Sequence, residues 1–407
     1  MVIAMRQTKK LPAAALALIC LCFALGSCEH VAVAILPDIA AGLDADLGAA
    51  GKLVSVFAAG YAVGTPLVMA ATGRMPKYRL LMGLLALFLL SNAMSMLAPS
   101  LTVLYGARML SAVLTGSLTA VALLFVRAVT DRARSAGAVS LCYAGVSLAT
   151  VVGNPLNKLL CRYFGWRAPF GVIVVLGAVL LPLLARLLPR DLTAGEESGF
   201  FRQFAVLRDG RYTLAVLMTV CSYGASYVVY TYVTPILTDV LGVGGIAVSP
   251  LLMVVGLCCV GGNLLSGLVG AHGGVRRTPL VLLAQAALFA AMPALLGGRW
   301  TGLLAVLGMC LMMYVVSTPV QLHALELAER DHPYAVSLCA STLSVAANMG
   351  IALGSFASSG LQSAVGLRAL GYPAAAFALV GLGLNLALLR SCGWGRPLNR
   401  VSGNQNT

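Results

Sequence analysis

Residues 11–36 read LPAAALALICLCFALGSCEHVAVAIL, and this stretch decides how the rest of the chain is read. Its twenty-six residues, at ~1.5 Å of helix rise each, reach across a hydrocarbon core of roughly 30 Å. The start of the run imitates a secretory leader: Lys9 and Lys10 precede apolar residues, and Leu25-Gly26-Ser27-Cys28 looks like a processing site. A leader core spans only ~7–15 residues, whereas here the apolar character continues past Cys28 to Leu36, which predicts a retained membrane helix. One carboxylate, Glu29, lies inside it between Cys28 and His30. An ionised group at that depth costs ~2.5–3.5 kcal/mol on insertion scales, and it persists where it faces a partner or a water-filled cavity. Glu29 is therefore the first candidate for function.

Composition places the whole chain with that stretch. Of 407 residues, 60% are hydrophobic and 10% charged, with a mean hydropathy of +0.93. A soluble domain of this size carries about 25% charged residues, so the sequence predicts a polytopic helical membrane protein. The net charge of +14 would suggest a nucleic-acid partner in a soluble protein. Here the basic residues stand at the ends of apolar runs, so topology accounts for them and no nucleic acid is expected. Eleven cysteines are present without a paired CxxC framework, nine of them within apolar segments. They read as small packing residues, and no disulfide, metal or cofactor is expected. Gly145-Val-Ser147 is the one nucleophile-like motif and has no histidine partner at membrane depth, so no enzyme activity is expected.

Twelve apolar windows of helix length follow one another, at roughly 11–36, 50–70, 80–99, 101–127, 136–161, 168–188, 213–240, 247–270, 279–297, 301–325, 335–361 and 373–390. The longest polar interruption, Pro189 to Tyr212, divides them six and six. This gives an all-α membrane protein of two pseudo-symmetric six-helix bundles: residues 1–188, a linker 189–212, residues 213–391 and a tail 392–407. Twenty Lys and Arg fall on the side of the N-terminus and linker, six on the other, and Arg108 within a span. That asymmetry places both termini in the cytoplasm. Windows 3, 6, 9 and 12 are almost purely apolar, with Asn92, Gln285 and Asn385 as exceptions, while windows 1, 4, 7 and 10 hold most polar and aromatic residues. The first set suits lipid contact and the second a cavity.

Two constellations could carry chemistry. Glu29 lies eight residues before Pro37 and Arg108 eight residues after Ser100, each ~12 Å below the same membrane face by helix rise. Opposite charges at matched depth predict an ion pair that protonation of Glu29 would release. Tyr223, Tyr227 and Tyr230 recur at i, i+4 and i+7, one helical face, with Tyr232 on another. Such a face can stack on a ligand or pack a core. Thr115 and Asn348 are further polar groups within spans, and together with the three tyrosines they form the expected solute-binding set.

These residues resemble the major facilitator superfamily, and within it the twelve-helix drug:proton antiporters of the sugar-efflux group, over roughly residues 11–390. The carriers are the first-helix acid with Leu36-Pro37-Asp38-Ile39-Ala40, Arg108 through Gly116, Gly145 through Gly153-Asn154-Pro155, Tyr230-Thr-Tyr232 with Pro235, and Asn348-x-Gly350-x-Ala-x-Gly354. The resemblance implies a proton-coupled secondary transporter of the bacterial inner membrane, a monomer whose partners are a small organic solute, protons and the bilayer. It implies export by alternating access, with import of a nutrient as the alternative. Glu29 and Arg108 would couple protons, and Gly64, Gly73, Arg74, Lys77, Gly153 and Pro155 would serve the conformational switch. Gly73 stands where the group carries an Asp, Ala271 where its second-half copy would, and Asn157 replaces a usual Gly.

Overall fold

The computed structural model describes residues 12–73, 75–192 and 204–392, and every regular element among them is helical. Twelve long segments are labelled α1 (Ala13–Ala34), α2 (Leu47–Ala71), α3 (Lys77–Met96), α4 (Leu101–Val129), α5 (Gly137–Phe164), α6 (Ala168–Leu187), α7 (Gly210–Tyr230), α8 (Gly245–Ala271), α9 (Thr278–Leu295), α10 (Arg299–Asp331), α11 (Val336–Ala369) and α12 (Gly371–Ser391). Eleven of them are long and apolar enough to cross a membrane among the described residues; α11 spans 34 residues with no charged side chain before Arg368. It also runs past the expected end at residue 361, with a left-handed break at Gly366. The expected window 213–240 divides into α7, a short turn, and a π-helical segment Ile236–Val240. Arg74, much of the linker and most of the tail lie outside the described residues.

Burial follows the three-fold rhythm of the sequence. The apolar stretch is 72% buried in α1 and α7, 61% in α4 and 56% in α10, against 44% in α3, 39% in α2 and 33% in α5, α6, α8, α9 and α12. A helix that is apolar all round must be enclosed or face lipid, and here the first helix of each triplet is the enclosed one while the second and third are similarly exposed. In the first half α1 packs on α4, α5 and α6, α3 on α4 and α6, and α2 on α4. In the second half α7 packs on α11 and α12, α9 on α12, and α8 on α10. The α7–α11 contact is close because it is lined by glycine: a Cβ at Gly354 would lie 2.2 Å from the Gly224 carbonyl oxygen, and one at Gly350 2.4 Å from that of Val220. Small residues allow such backbone approach in membrane bundles.

The two halves meet through α2 with α11 and α5 with α8. One apolar cluster crosses between them, joining Val31, Ile35 and Leu53 to Tyr232, Ile236 and Leu252. All of these lie toward the face that carries the α1–α2 turn. Toward the linker face the apolar clusters are each confined to one half, as with Leu18, Leu84 and Phe125 in the first and Met218, Leu282 and Val320 in the second. Polar contacts between the halves repeat the pattern: the Ser55 hydroxyl donates to Ser355 at 2.9 Å, and that of Thr234 to the Val33 carbonyl at 2.9 Å. The bundles are thus joined on the turn face.

Both first-half helices at this junction are interrupted in the same way. α2 contains a π turn, Gly60–Gly64, followed by Thr65-Pro66; α5 contains a π turn, Ala149–Gly153, followed by Asn154-Pro155. Proline offers no N–H and crowds the carbonyl four residues back, and a wider turn just before it absorbs that defect. At the linker face Asp209 caps α7, accepting from the Arg211 backbone N–H at 2.9 Å. Its carboxylate also pairs with the Arg211 guanidinium at 2.8 Å and faces His332 Nε2 at 3.1 Å. The Arg211 hydrogen bonds, with help from His332, hold the Asp209 carboxyl well below the usual carboxylate range.

Two outcomes follow from this packing. Cysteines at both Ser55 and Ser355 are expected to form a disulfide, identified by peptide mapping, that blocks transport until it is reduced; free thiols under mild oxidant would contradict the junction. Asp209→Ala should lower stability by about 1–2 kcal/mol at neutral pH through loss of the cap. Because the folded carboxyl is depressed, its contribution is present above about pH 4 and fades as pH falls below that. The wild type and variant melting curves should therefore converge in acid.

Candidate functional site

Arg108 is buried in α4 at 1% exposure, and its surroundings differ from the expected carboxylate–guanidinium pair. Nη1 donates to the Cys28 carbonyl at 2.7 Å and Nη2 to the Glu29 carbonyl at 3.3 Å, while the guanidinium carbon stands 4.2 Å from the centre of the Phe57 ring. No ion pair joins Glu29 and Arg108 among the described residues. The physical reason is that a helix carbonyl retains a second lone pair after serving the ladder, and α1 turns those carbonyls toward α4 while the Glu29 side chain lines a cleft. A cation over an aromatic face is stabilised further by the ring quadrupole.

Behind this contact lies a buried polar chain. The Cys28 thiol donates to Asn92 Oδ1 at 3.3 Å, Asn92 Nδ2 donates to the Phe88 carbonyl at 2.8 Å, and the Ser111 hydroxyl donates to Ser91 at 2.9 Å. The second half has a counterpart: Gln285 of α9 donates to the Ser226 hydroxyl at 2.9 Å and the Ser222 carbonyl at 3.3 Å, both on α7. One amide from the third helix of each half therefore holds that half's first helix. Asn385 of α12 donates to Thr278 Oγ1 at 2.6 Å. The three isolated polar residues of the outward windows all face inward.

Between the halves is a narrow cleft with room for about one water, roughly 10 Å³, lined by Glu29, His30 and Val33 from α1, Val54, Phe57 and Ala58 from α2, Tyr227 from α7, and Asn348 and Ile351 from α11. Asn348 donates through Nδ2 to the Ser344 carbonyl at 3.1 Å, which fixes its amide and leaves Oδ1 without a hydrogen-bond partner. His30 Nδ1 is 2.9 Å from the Gly26 carbonyl. A carbonyl only accepts, so Nδ1 carries a proton and donates this bond.

The expected solute-binding set is only partly brought together. Tyr227 and Asn348 line the cleft with Glu29. Tyr223 packs edge-on against Tyr314 with ring centres 5.8 Å apart, Tyr230 against Tyr227 at 5.2 Å, and both are almost fully buried behind the lining. Thr115 is 1% exposed and donates to the Ser111 carbonyl of its own helix at 2.7 Å, away from the cleft. Phe57, Val54, Ile351 and Tyr314 were not singled out by the sequence. Tyr232 presses its hydroxyl against α2, where a Cβ at Gly51 would lie 2.2 Å from the oxygen.

The expected switch residues fall into two places. Gly64 and Gly153 close the π turns: a Cβ at Gly64 would lie 2.2 Å from Val113 Cγ2, and one at Gly153 3.0 Å from Ser27 Oγ. Pro155 follows in α5. A Cβ at Gly73 would make only ordinary contacts, 3.6 Å from the Met69 and Ala70 carbonyl oxygens, and the Gly73 carbonyl accepts a 2.9 Å bond from the buried Lys77 Nζ. Lys77 N–H also donates to the Leu192 carbonyl at 3.2 Å. A backbone oxygen thus takes the place of the carboxylate missing at this loop. At the turn face Lys158 reaches Asp38 at 2.6 Å, an ion pair in place of the snorkelling expected of a lysine near a helix end.

Comparison with known proteins agrees with this architecture. The family model described as Major Facilitator Superfamily matches residues 15–338. YtbD of Bacillus subtilis, an uncharacterised MFS-type transporter, is 30% identical over 355 residues, 87% of this chain and 89% of the relative. A chloramphenicol resistance protein of Streptomyces lividans is 31% identical over 247 residues, 60% of this chain and 63% of the relative. Among solved structures, a bacterial homologue of the human lysosomal transporter Spinster, inward-facing and unoccupied, aligns with a TM-score of 0.74 at 16% identity, covering 96% of this chain and 99% of that one. The chain belongs to the Major Facilitator Superfamily and is a multi-pass membrane transporter rather than an enzyme.

Proposed function

We propose that this chain is a proton-coupled secondary transporter that exports a small organic solute by alternating access, with Glu29 as the proton carrier. The observation that carries the reading is the placement of the Glu29 carboxylate on the cleft between the halves while the charge of Arg108 is fixed behind it on α1 carbonyls. Rocking of the halves changes the water around the carboxylate but leaves the cation in place, so conformation and protonation are linked. Tyr227 and Asn348 contact the solute, with Tyr223 and Tyr230 as backing. Gly64, Gly153 and Pro155 let α2 and α5 bend, and the Gly73–Lys77 contact steadies the linker-face loop. The cleft is complete in one copy, which supports a monomer, and the charge asymmetry supports an inner-membrane protein with both termini in the cytoplasm. Export is favoured over import by the resistance named for the Streptomyces relative.

The test is accumulation of sugars, nucleosides and antibiotics in efflux-deficient cells expressing the wild type or Glu29→Gln, with and without a protonophore. One compound should be depleted by the wild type, and both the variant and the protonophore should restore it to the level of empty cells. Export that survives Glu29→Gln removes the proposed carrier, and accumulation that rises with the wild type makes the protein an importer. Arg108→Lys keeps the charge but cannot reproduce the forked contact with two carbonyls and the ring. It should lower thermal stability in detergent by about 1–3 kcal/mol and reduce proton-driven transport; unchanged melting would show that the carbonyl contacts contribute nothing.

A further inference from the structure

The start of α3 and the end of α6 lie side by side at the linker face. The Tyr78 hydroxyl donates to the Ala185 carbonyl at 2.9 Å. Further along the pair, a Cβ at Gly177 would lie 2.4 Å from Leu89 Cδ2, and one at Gly171 3.2 Å from Met96 Sδ. The two helices thus touch along their length in opposite directions, and both turn an apolar side out of the bundle. Leu87 and Leu90 on α3 and Val175 and Val179 on α6 are exposed there. Three arginines stand where this surface reaches the linker face. Arg79 and Arg186 each follow a residue of the Tyr78–Ala185 contact, and Arg190 holds its guanidinium carbon 5.7 Å from the centre of the Tyr78 ring. All three are exposed, and among the described residues none has an ion-pair partner. Asp191, the carboxylate next to Arg190, pairs with none of them. Arg211, Arg330 and Lys158 are by contrast each answered by an aspartate.

Topology accounts for the sign of charges at one face of a membrane protein. It does not require three of them to meet at one helix seam, unanswered by carboxylates and directly below an apolar surface. Packed helices have axes ~8–10 Å apart, so three long side chains at this seam stand within reach of one headgroup. A guanidinium presents paired donors that match two phosphate oxygens, and basic sites between helices at a membrane boundary suit anionic headgroups. From this combination we infer that the α3–α6 seam binds an anionic phospholipid of the leaflet on the linker side. The phosphate lies among Arg79, Arg186 and Arg190, and the acyl chains run along Leu87, Leu90 and Val179. A zwitterionic phosphatidylethanolamine offers the same phosphate but brings an ammonium, which meets the arginines as a like charge. Lys77 N–H donates to the Leu192 carbonyl beside this seam, so lipid bound here rests against the place where the α2–α3 loop holds the start of the linker.

The test is native mass spectrometry of the delipidated full-length protein, titrated with dioleoyl phosphatidylglycerol or dioleoyl phosphatidylethanolamine. The acyl chains are the same, so a difference in affinity reports the headgroup. A basic residue near an anionic lipid contributes roughly a fivefold gain, so phosphatidylglycerol should bind tighter by about tenfold or more. Arg186→Gln combined with Arg190→Gln should remove about tenfold of that affinity and leave phosphatidylethanolamine within about twofold of the wild type. Arg127→Gln combined with Arg208→Gln makes the same charge change elsewhere on the linker face and should keep the preference. Excess inorganic phosphate should not displace the bound lipid, because the acyl chains hold it as well as the headgroup. The headgroup ranking on the wild type stands by itself if a variant fails to fold. Equal affinity for the two lipids, a preference that survives the loss of Arg186 and Arg190, an equal loss in the Arg127 and Arg208 variant, or displacement by free phosphate would each overturn the inference.

Discussion

A guanidinium at 1% exposure in an apolar bundle must have its donors met, because an unanswered buried charge is far more costly than a neutral polar group. Arg108 meets most of that requirement with backbone oxygens of α1, the ring of Phe57 on α2 and the Cys28 thiol, which itself donates to Asn92 on α3, while Nε is left without a hydrogen-bond partner. Four helices are thereby fixed around one side chain. The arrangement sets the rotation of α1, and that rotation is what turns the Glu29 carboxylate toward the second half. An ion pair between the two would have drawn the carboxylate back against α4 and left the cleft without a charge.

The junction of the halves has a different character. It is made of hydroxyls and glycines: Ser55 on Ser355, Tyr232 on Gly51, and Gly256 against the Thr150 carbonyl, where an added Cβ would lie 2.5 Å from the oxygen. Close backbone approach gives many small dispersion contacts and few strong directional bonds. Contacts of this kind separate without exposing a buried charge. The strong polar bonds involving Arg108, Asn92 and Gln285 are instead kept inside each half, which suits bundles that move as bodies.

Much of this was legible in the sequence, and the gaps have physical causes. Helix-length apolar windows stand out because a bilayer demands them, and each of the twelve expected windows corresponds to a long helix. Glu29 and Arg108 are visible as charges where none should be. Their partners are not, because a backbone carbonyl has no letter of its own and Phe57 is one apolar residue among many. The i, i+4, i+7 tyrosines do share a face, yet the cleft narrows so that Tyr227 alone reaches its lining. Thr115 shows the reverse: a hydroxyl in a helix bonds its own preceding turn as readily as a ligand.

The paired π turns of α2 and α5 bear on one further property. A π turn holds one residue more than an α turn, and one residue corresponds to about 100° of helix rotation. If such a turn migrates along the helix, the side chains it passes rotate by that amount while those at either end keep their places. The helices that bridge to the second half from the first contain this slack, and their counterparts α8 and α11 contain no π turn among the described residues. The bridging helices of the first half thus hold torsional slack, as does the π-helical segment Ile236–Val240 that follows α7 in the second, and a change in which residues line the passage can be delivered by local rewinding without either bundle unfolding.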